Sequence, residues 1–143
     1  MPPYPARHQL IEFAVSASEG FRFFIDGASL STGDDGVVRY VLVARSPEGA
    51  ENVSFEGIRC NSAEYRIYAV GRAGGRDEGS WAGRPGDWRP IAGTAVSRWH
   101  TALQREYFCP QNEPIRTAAE GVRALQQGGH PFSKGLAGPD SRR

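Results

Sequence analysis

Val37-Val38-Arg39-Tyr40-Val41-Leu42-Val43-Ala44-Arg45 decides the fold. The stretch is rich in β-branched and aromatic residues and apolar on both faces, so it predicts a central strand covered on two sides. Strong turns bracket it, Ser31-Thr32-Gly33-Asp34-Asp35-Gly36 before and Ser46-Pro47-Glu48-Gly49 after. Upstream, Gln9 to Val15 alternates as a strand does. Phe21, Phe23 and Ile25 then share one face of a second strand, with Arg22, Phe24 and Asp26 on the other. Downstream, Asn52 to Cys60 predicts a strand whose apolar parity switches from Val53 and Phe55 to Ile58 and Cys60. A β-bulge at Glu56-Gly57 would absorb that switch. Tyr65 to Val70 completes the set. The links between these runs are too short for parallel crossovers, so the sheet is expected to be an antiparallel meander of about five strands.

The rest of the chain is organised around that sheet. Residues 1–8 form a Pro-rich extension, residues 9–127 a single domain, and residues 128–143 a tail whose Gly, Pro and charge content predicts disorder. Residues 71–87 hold six glycines among Arg72, Arg76 and Arg84 and predict a flexible loop. From Thr94 the period becomes helical: Val96, Trp99, Leu103 and Tyr107 make one apolar stripe, ending at Cys109-Pro110. Thr117-Ala118-Ala119-Glu120 is a capping box that opens a short helix running to Gly128-Gly129. Asp26-Gly27-Ala28-Ser29 predicts a carboxylate capping a tight turn through Asp26 and Ser29. The fold class is therefore α+β, with the sheet packed against the helix at 94–108.

Composition bounds the function. The 143 residues suffice for one domain with a core of its own. Lys and Arg total 17 against 16 Asp and Glu, so no global field draws nucleic acid or an anionic membrane. All the basic residues but Lys134 are arginines, and planar guanidinium groups stack where ammonium groups do not. No apolar run approaches membrane-spanning length, and Met1-Pro2-Pro3-Tyr4-Pro5 does not resemble a signal peptide. Cys60 and Cys109 fit no zinc or redox spacing; they either pair or lie buried as free thiols.

Several long segments resemble the cryptic neisserial protein-like family. They are Phe23-Phe24-Ile25-Asp26-Gly27-Ala28-Ser29-Leu30-Ser31, the run from Gly36 through Ser54, and Phe55-Glu56-Gly57-Ile58-Arg59-Cys60. Tyr68-Ala69-Val70-Gly71, Trp88-Arg89-Pro90-Ile91 and Tyr107-Phe108-Cys109-Pro110 follow in order, so the resemblance spans roughly residues 8–126. It implies a small proteobacterial protein of the periplasm or cell envelope, of a kind that carries a leader or lipid anchor. It also implies a Cys60–Cys109 disulfide, which an oxidising compartment permits. At the level of topology the chain is similar to surface-adhesin E-type lipoproteins.

The candidate chemistry is sparse. His8, His100 and His130 are scattered and have no partner at metal spacing, and Ser29 and Ser31 lack a nucleophile elbow. No catalytic residue, metal or cofactor is expected. Trp, Tyr and Arg together make the composition of binding hot spots. Trp81 stands apart in the 71–87 loop as an exposed apolar anchor, with Arg72, Arg76 and Arg84 beside it as candidate partner-binding residues. The remaining Arg and aromatic residues are expected to pair across the outer face of the sheet. The expected function is a non-enzymatic envelope module acting through contacts with an envelope protein. The alternatives are an adhesin-like binder of extracellular proteins and a small periplasmic hydrolase.

Overall fold

The computed structural model describes residues 1–16, 18–72, 80–91 and 98–132. The strands are β1 (Leu10–Phe13), β2 (Arg22–Asp26), β3 (Ser31–Thr32), β4 (Val37–Arg45), β5 (Glu51–Arg59), β6 (Glu64–Arg72), β7 (Ser80–Ala82) and β8 (Arg89–Pro90). They form one antiparallel sheet in the order β1-β2-β4-β5-β6-β7, with β3 beside β4 and β8 beside β6. The sheet thus has eight strands among the described residues, not about five. The additional three are two or three residues long: β3 falls in the expected turn at 31–36, β7 in the expected loop at 71–87, and β8 just after that loop. Pairing with the ends of β4 and β6, rather than the propensity of their own residues, makes them strands.

β4 lies at the centre as its sequence requires. Tyr40 and Leu42 point into the core on one face, and Val37, Val41 and Val43 are equally buried on the other. Its pairing with β5 runs unbroken from Val37↔Arg59 to Arg45↔Glu51. The expected bulge at Glu56-Gly57 is therefore not in β5. The register shifts instead between β5 and β6, where Phe55 opposes Ala69 and Glu56 opposes Ile67, so the extra residue is Tyr68 of β6. The parity switch along β5 has another cause: each half buries its apolar side chains on a different face. Val53 and Phe55 lie on the outer face, and Ile58 and Cys60 on the core face.

The core face is covered by helices α1 (Arg98–Ala102) and α2 (Ala118–Gln126). Residues 94–97, where the first helix is expected to begin, lie outside the described residues. From Leu103 to Phe108 that helix continues in π geometry. An i→i+5 repeat brings Leu103 and Phe108 into line, and Tyr107 and Phe108 are both buried, which a purely α-helical stripe through Trp99, Leu103 and Tyr107 would not achieve. Cys60, just beyond β5, is bonded to Cys109, just beyond the π segment, with their Cα atoms 5.5 Å apart. The bond staples the sheet to its helical cover. Closing a loop of this length stabilises the fold by about 4 kcal/mol in the chain-entropy account.

Thr117 caps α2 by accepting a hydrogen bond from the Glu120 amide at 3.1 Å, and Glu120 accepts one from the Arg116 amide at 2.8 Å. Glu120 also holds His130 at 2.7 Å, so Gly129 and His130 are buried beyond the helix, while Pro131 and Phe132 are exposed. Residues 133–143 of the expected disordered tail lie outside the described residues. Asp26 organises its turn as anticipated in kind. Its carboxylate accepts from the Ala28 amide at 3.0 Å and from the Ser29 hydroxyl at 2.8 Å.

Candidate functional site

The outer face of the sheet is built by residues that alternate away from the helices. Arg39 and Arg45 on β4, Phe55 and Arg59 on β5, and Arg66 and Tyr68 on β6 form one continuous array. Cross-strand spacing brings guanidinium groups over rings. Arg59 lies 4.1 Å from the centre of the Trp88 ring, with Arg66 on the same ring at 5.9 Å. Arg39 and Arg66 flank Tyr68 at 5.5 and 5.4 Å. At the far edge Arg45 and Arg22 lie over Phe24 at 4.6 and 5.5 Å.

Carboxylates hold four of these cations in place, and the Gly86 carbonyl holds Arg66 at 2.7 Å. Arg22 pairs with Glu12 at 2.7 Å, Arg39 with Asp35 at 2.7 Å, Arg45 with Glu51 at 2.8 Å and Arg59 with Glu64 at 2.9 Å. The Arg39 hydrogen bond lowers the Asp35 carboxyl below its usual range, and Ser62 followed by Arg59 does the same for Glu64. The array is a set of oriented planar cations and rings rather than a bare positive patch. The expected cross-strand pairing of arginines with rings and carboxylates is thus present.

Behind the array, on the core face, lies a polar cluster that sequence reasoning missed. Glu56 and His100 are each only 1% exposed. Oε1 of Glu56 lies 2.9 Å from Nε2 of His100 and accepts from the Tyr40 hydroxyl at 2.8 Å and the Trp99 indole at 3.3 Å. Oε2 accepts from the Ser54 hydroxyl at 2.6 Å. Burial pushes the Glu56 carboxyl up, but the His100 hydrogen bond and charge, together with Ser54 and Tyr40, outweigh it and leave the group below its ordinary value. Burial beside this carboxylate pushes the Tyr40 hydroxyl well up. His100 also stacks on Tyr65, with ring centres 3.7 Å apart. Two signals pointed here: Glu56 sits at the parity switch of its strand, and His100 falls beside the apolar stripe of its helix.

The model of the CNP1-like family matches residues 1–126. The chain belongs to the CNP1-like family. It is 28% identical over 142 residues to cryptic neisserial protein 1 of Neisseria gonorrhoeae (strain ATCC 700825 / FA 1090), covering 90% of this chain and 70% of that protein. No solved structure matches it.

In this CNP1-like chain Trp81 lies on β7, opposite Gly71 of β6, rather than in a loop. Its indole N–H donates to the Pro2 carbonyl at 2.8 Å, and its ring lies 5.2 Å from Tyr4 and 6.2 Å from Phe55. Arg72 pairs with Ser80 in the same ladder and is exposed, as is Arg84. Arg76 lies outside the described residues. Among the described residues, cavities border the sheet on both faces. One of about 390 Å³ is lined by Phe21, Phe23, Trp99, Ser54 and Arg98, the last lying 3.8 Å from Glu19. The other, about 430 Å³, lies on the outer face between Tyr4–Arg7 and the side chains of Val43, Glu51 and Val53. Among the described residues no three His, Cys, Asp or Glu side chains cluster as metal ligands would. No helix among them is long and apolar enough to cross a membrane.

Proposed function

We propose that this CNP1-like chain is a non-enzymatic module of the periplasm or cell envelope that works through protein–protein contacts on the outer face of its sheet. The observation that carries the reading is the guanidinium–aromatic array of Arg39, Tyr68, Arg66, Trp88 and Arg59. Arg, Tyr and Trp are the residue types that dominate binding energy at protein interfaces. Here their ion pairs and stacks fix them before a partner arrives, so little side-chain entropy is left to lose.

The chemistry of the buried cluster supports binding over catalysis. Four donors converge on Glu56, and the adjoining cavity presents Ser54 and Trp99, both already donating to that carboxylate. The Cys60–Cys109 bond supports an oxidising compartment. The test is capture of partners from the envelope fraction of the source bacterium on immobilised wild-type and Arg59→Ala/Arg66→Ala protein. The reading expects at least a tenfold loss of the captured species in the double variant. Equal capture by both proteins overturns it.

A further inference from the structure

One end of the outer face is occupied by the chain itself. Met1-Pro2-Pro3-Tyr4-Pro5 contains three prolines, whose rings fix φ. Met1, Pro2 and Tyr4 each precede a proline, which steers them to extended backbone. The segment is therefore preset toward a polyproline II conformation and loses little entropy when it docks.

Its seat is aromatic. The Trp81 indole donates to the Pro2 carbonyl at 2.8 Å, and the Tyr4 ring packs on Trp81 with centres 5.2 Å apart. Phe55 lies 6.2 Å beyond Trp81, and Tyr68 lies 5.0 Å beyond Phe55. Gly71 makes room for the contact. A Cβ there would strike the Tyr4 hydroxyl and stand 2.8 Å from the Val53 Cβ. The segment does not fill the face, since the 430 Å³ cavity remains between residues 4–7 and the strands beneath. An indole donor to the carbonyl of a proline-rich strand, flanked by further rings, is how aromatic grooves take polyproline II ligands.

We infer that the Trp81–Phe55–Tyr68 groove is a binding site for proline-rich extended segments, filled in cis by Pro2–Pro5 and opened when a proline-rich segment of a partner protein displaces that strap. The inference rests on the reading of the outer face as a protein interface and names the partner's chemistry. A tethered ligand competes at millimolar effective concentration, so a partner in trans meets a lowered apparent affinity until the strap is released.

The test uses the full chain and a synthetic peptide of residues 2–7, Pro-Pro-Tyr-Pro-Ala-Arg. Binding is followed by titration calorimetry, with the NMR amide spectrum as the check on folding. Tyr4→Ala weakens the strap in its seat, so it is expected to bind the peptide at least tenfold more tightly than wild type. Adding Trp81→Phe, which keeps a ring and removes the donor, is expected to reduce that binding at least tenfold. Gly71→Ala is expected to loosen the strap and weaken the peptide together. A peptide with alanine at each proline should bind at least tenfold more weakly.

Equal affinity of the proline and alanine peptides overturns the inference. So does an affinity of Tyr4→Ala no higher than that of wild type. A concentration-dependent dimer whose Trp81–Tyr4 contact proves intermolecular assigns the groove to a second copy and likewise overturns it. If the peptide fails while envelope capture still depends on Arg59 and Arg66, the inference alone falls. If that capture is also indifferent to those arginines, the functional reading falls with it.

Discussion

Replacing His100 with alanine tests the account of the buried cluster most sharply. The imidazole is sealed against Tyr65 at 3.7 Å and holds Glu56 at 2.9 Å with both groups out of water. Removing one partner of a buried pair leaves an uncompensated charge and costs about 3–5 kcal/mol. Glu56→Gln is milder. It keeps the shape and removes the charge, and the Ser54 hydroxyl can turn to accept from the new amide; the cost is about 1–3 kcal/mol. The two effects must not add, because the charge that His100→Ala strands is the one that Glu56→Gln removes. The double variant should therefore cost less than the sum by about 1–3 kcal/mol. Urea unfolding of the four oxidised proteins gives the cycle. With a slope of about 1–3 kcal/mol/M, the His100→Ala midpoint should fall by roughly 1–5 M. The sign of the pH effect follows from the depressed Glu56 carboxyl. Its contribution is complete above the unfolded value of about 4.3 and is lost as pH falls through the lower folded value, so the His100→Ala penalty should shrink in acid. Additive costs, or a His100→Ala penalty under about 1 kcal/mol, would refute the claim that these groups form one charged unit.

Reducing the Cys60–Cys109 bond should lower stability by about 4 kcal/mol, read as the difference in urea midpoint between oxidised and reduced protein. Gly121→Ala should destabilise by about 1 kcal/mol in thermal melts, because the new Cβ would stand 2.6 Å from Ile115 Cδ1 and 2.7 Å from Leu30 Cδ2, and displacing these two buried side chains outweighs the helix propensity gained. Thr117→Ala removes the acceptor that caps α2 and should cost about 1 kcal/mol by the same measurement. Arg59→Lys keeps the charge beside Glu64 but loses the flat stack on Trp88, so Trp88 fluorescence should change while the urea midpoint moves by less than about 1 kcal/mol equivalent.

Much of the fold was legible because local chemistry and tertiary context agree along the long elements. Val37–Arg45 had no alternative to a central strand, and Thr117 with Glu120 marked a helix start from side-chain chemistry alone. The short strands were not legible. Ser80-Trp81-Ala82 is flanked by glycine and becomes a strand only because β6 offers an unpaired edge. The helix from Arg98 gave its apolar stripe but not its π segment, since the wider turn follows from seating Phe108 as well as Tyr107 in the core. The buried cluster was hidden for a related reason. Glu56 and His100 are 44 residues apart, and nothing local marks them as partners. The stacking of Arg59 on Trp88 was legible in kind but not in pairing, because composition names the participants and only register brings them together.

β5 explains how one small sheet carries a polar core on one face and the proposed binding array on the other. Its outward side chains, Val53, Phe55 and Arg59, build the seat for the Pro-rich strap and the guanidinium array. Its inward side chains, Ser54 and Glu56, build the buried cluster, and Cys60 just beyond its end fixes the chain to the helical layer. Pairing with β4 is unbroken along its length, so a slip by one residue would exchange the two sets and expel Glu56 into the array. A buried carboxylate met by four donors resists that slip strongly, because no other register satisfies it. The parity switch that looks like a strand defect is then a consequence of two covered faces. The helices cover one, and the chain's own proline-rich segment covers part of the other. The rigidity that the proposed interface requires is supplied from directly beneath it.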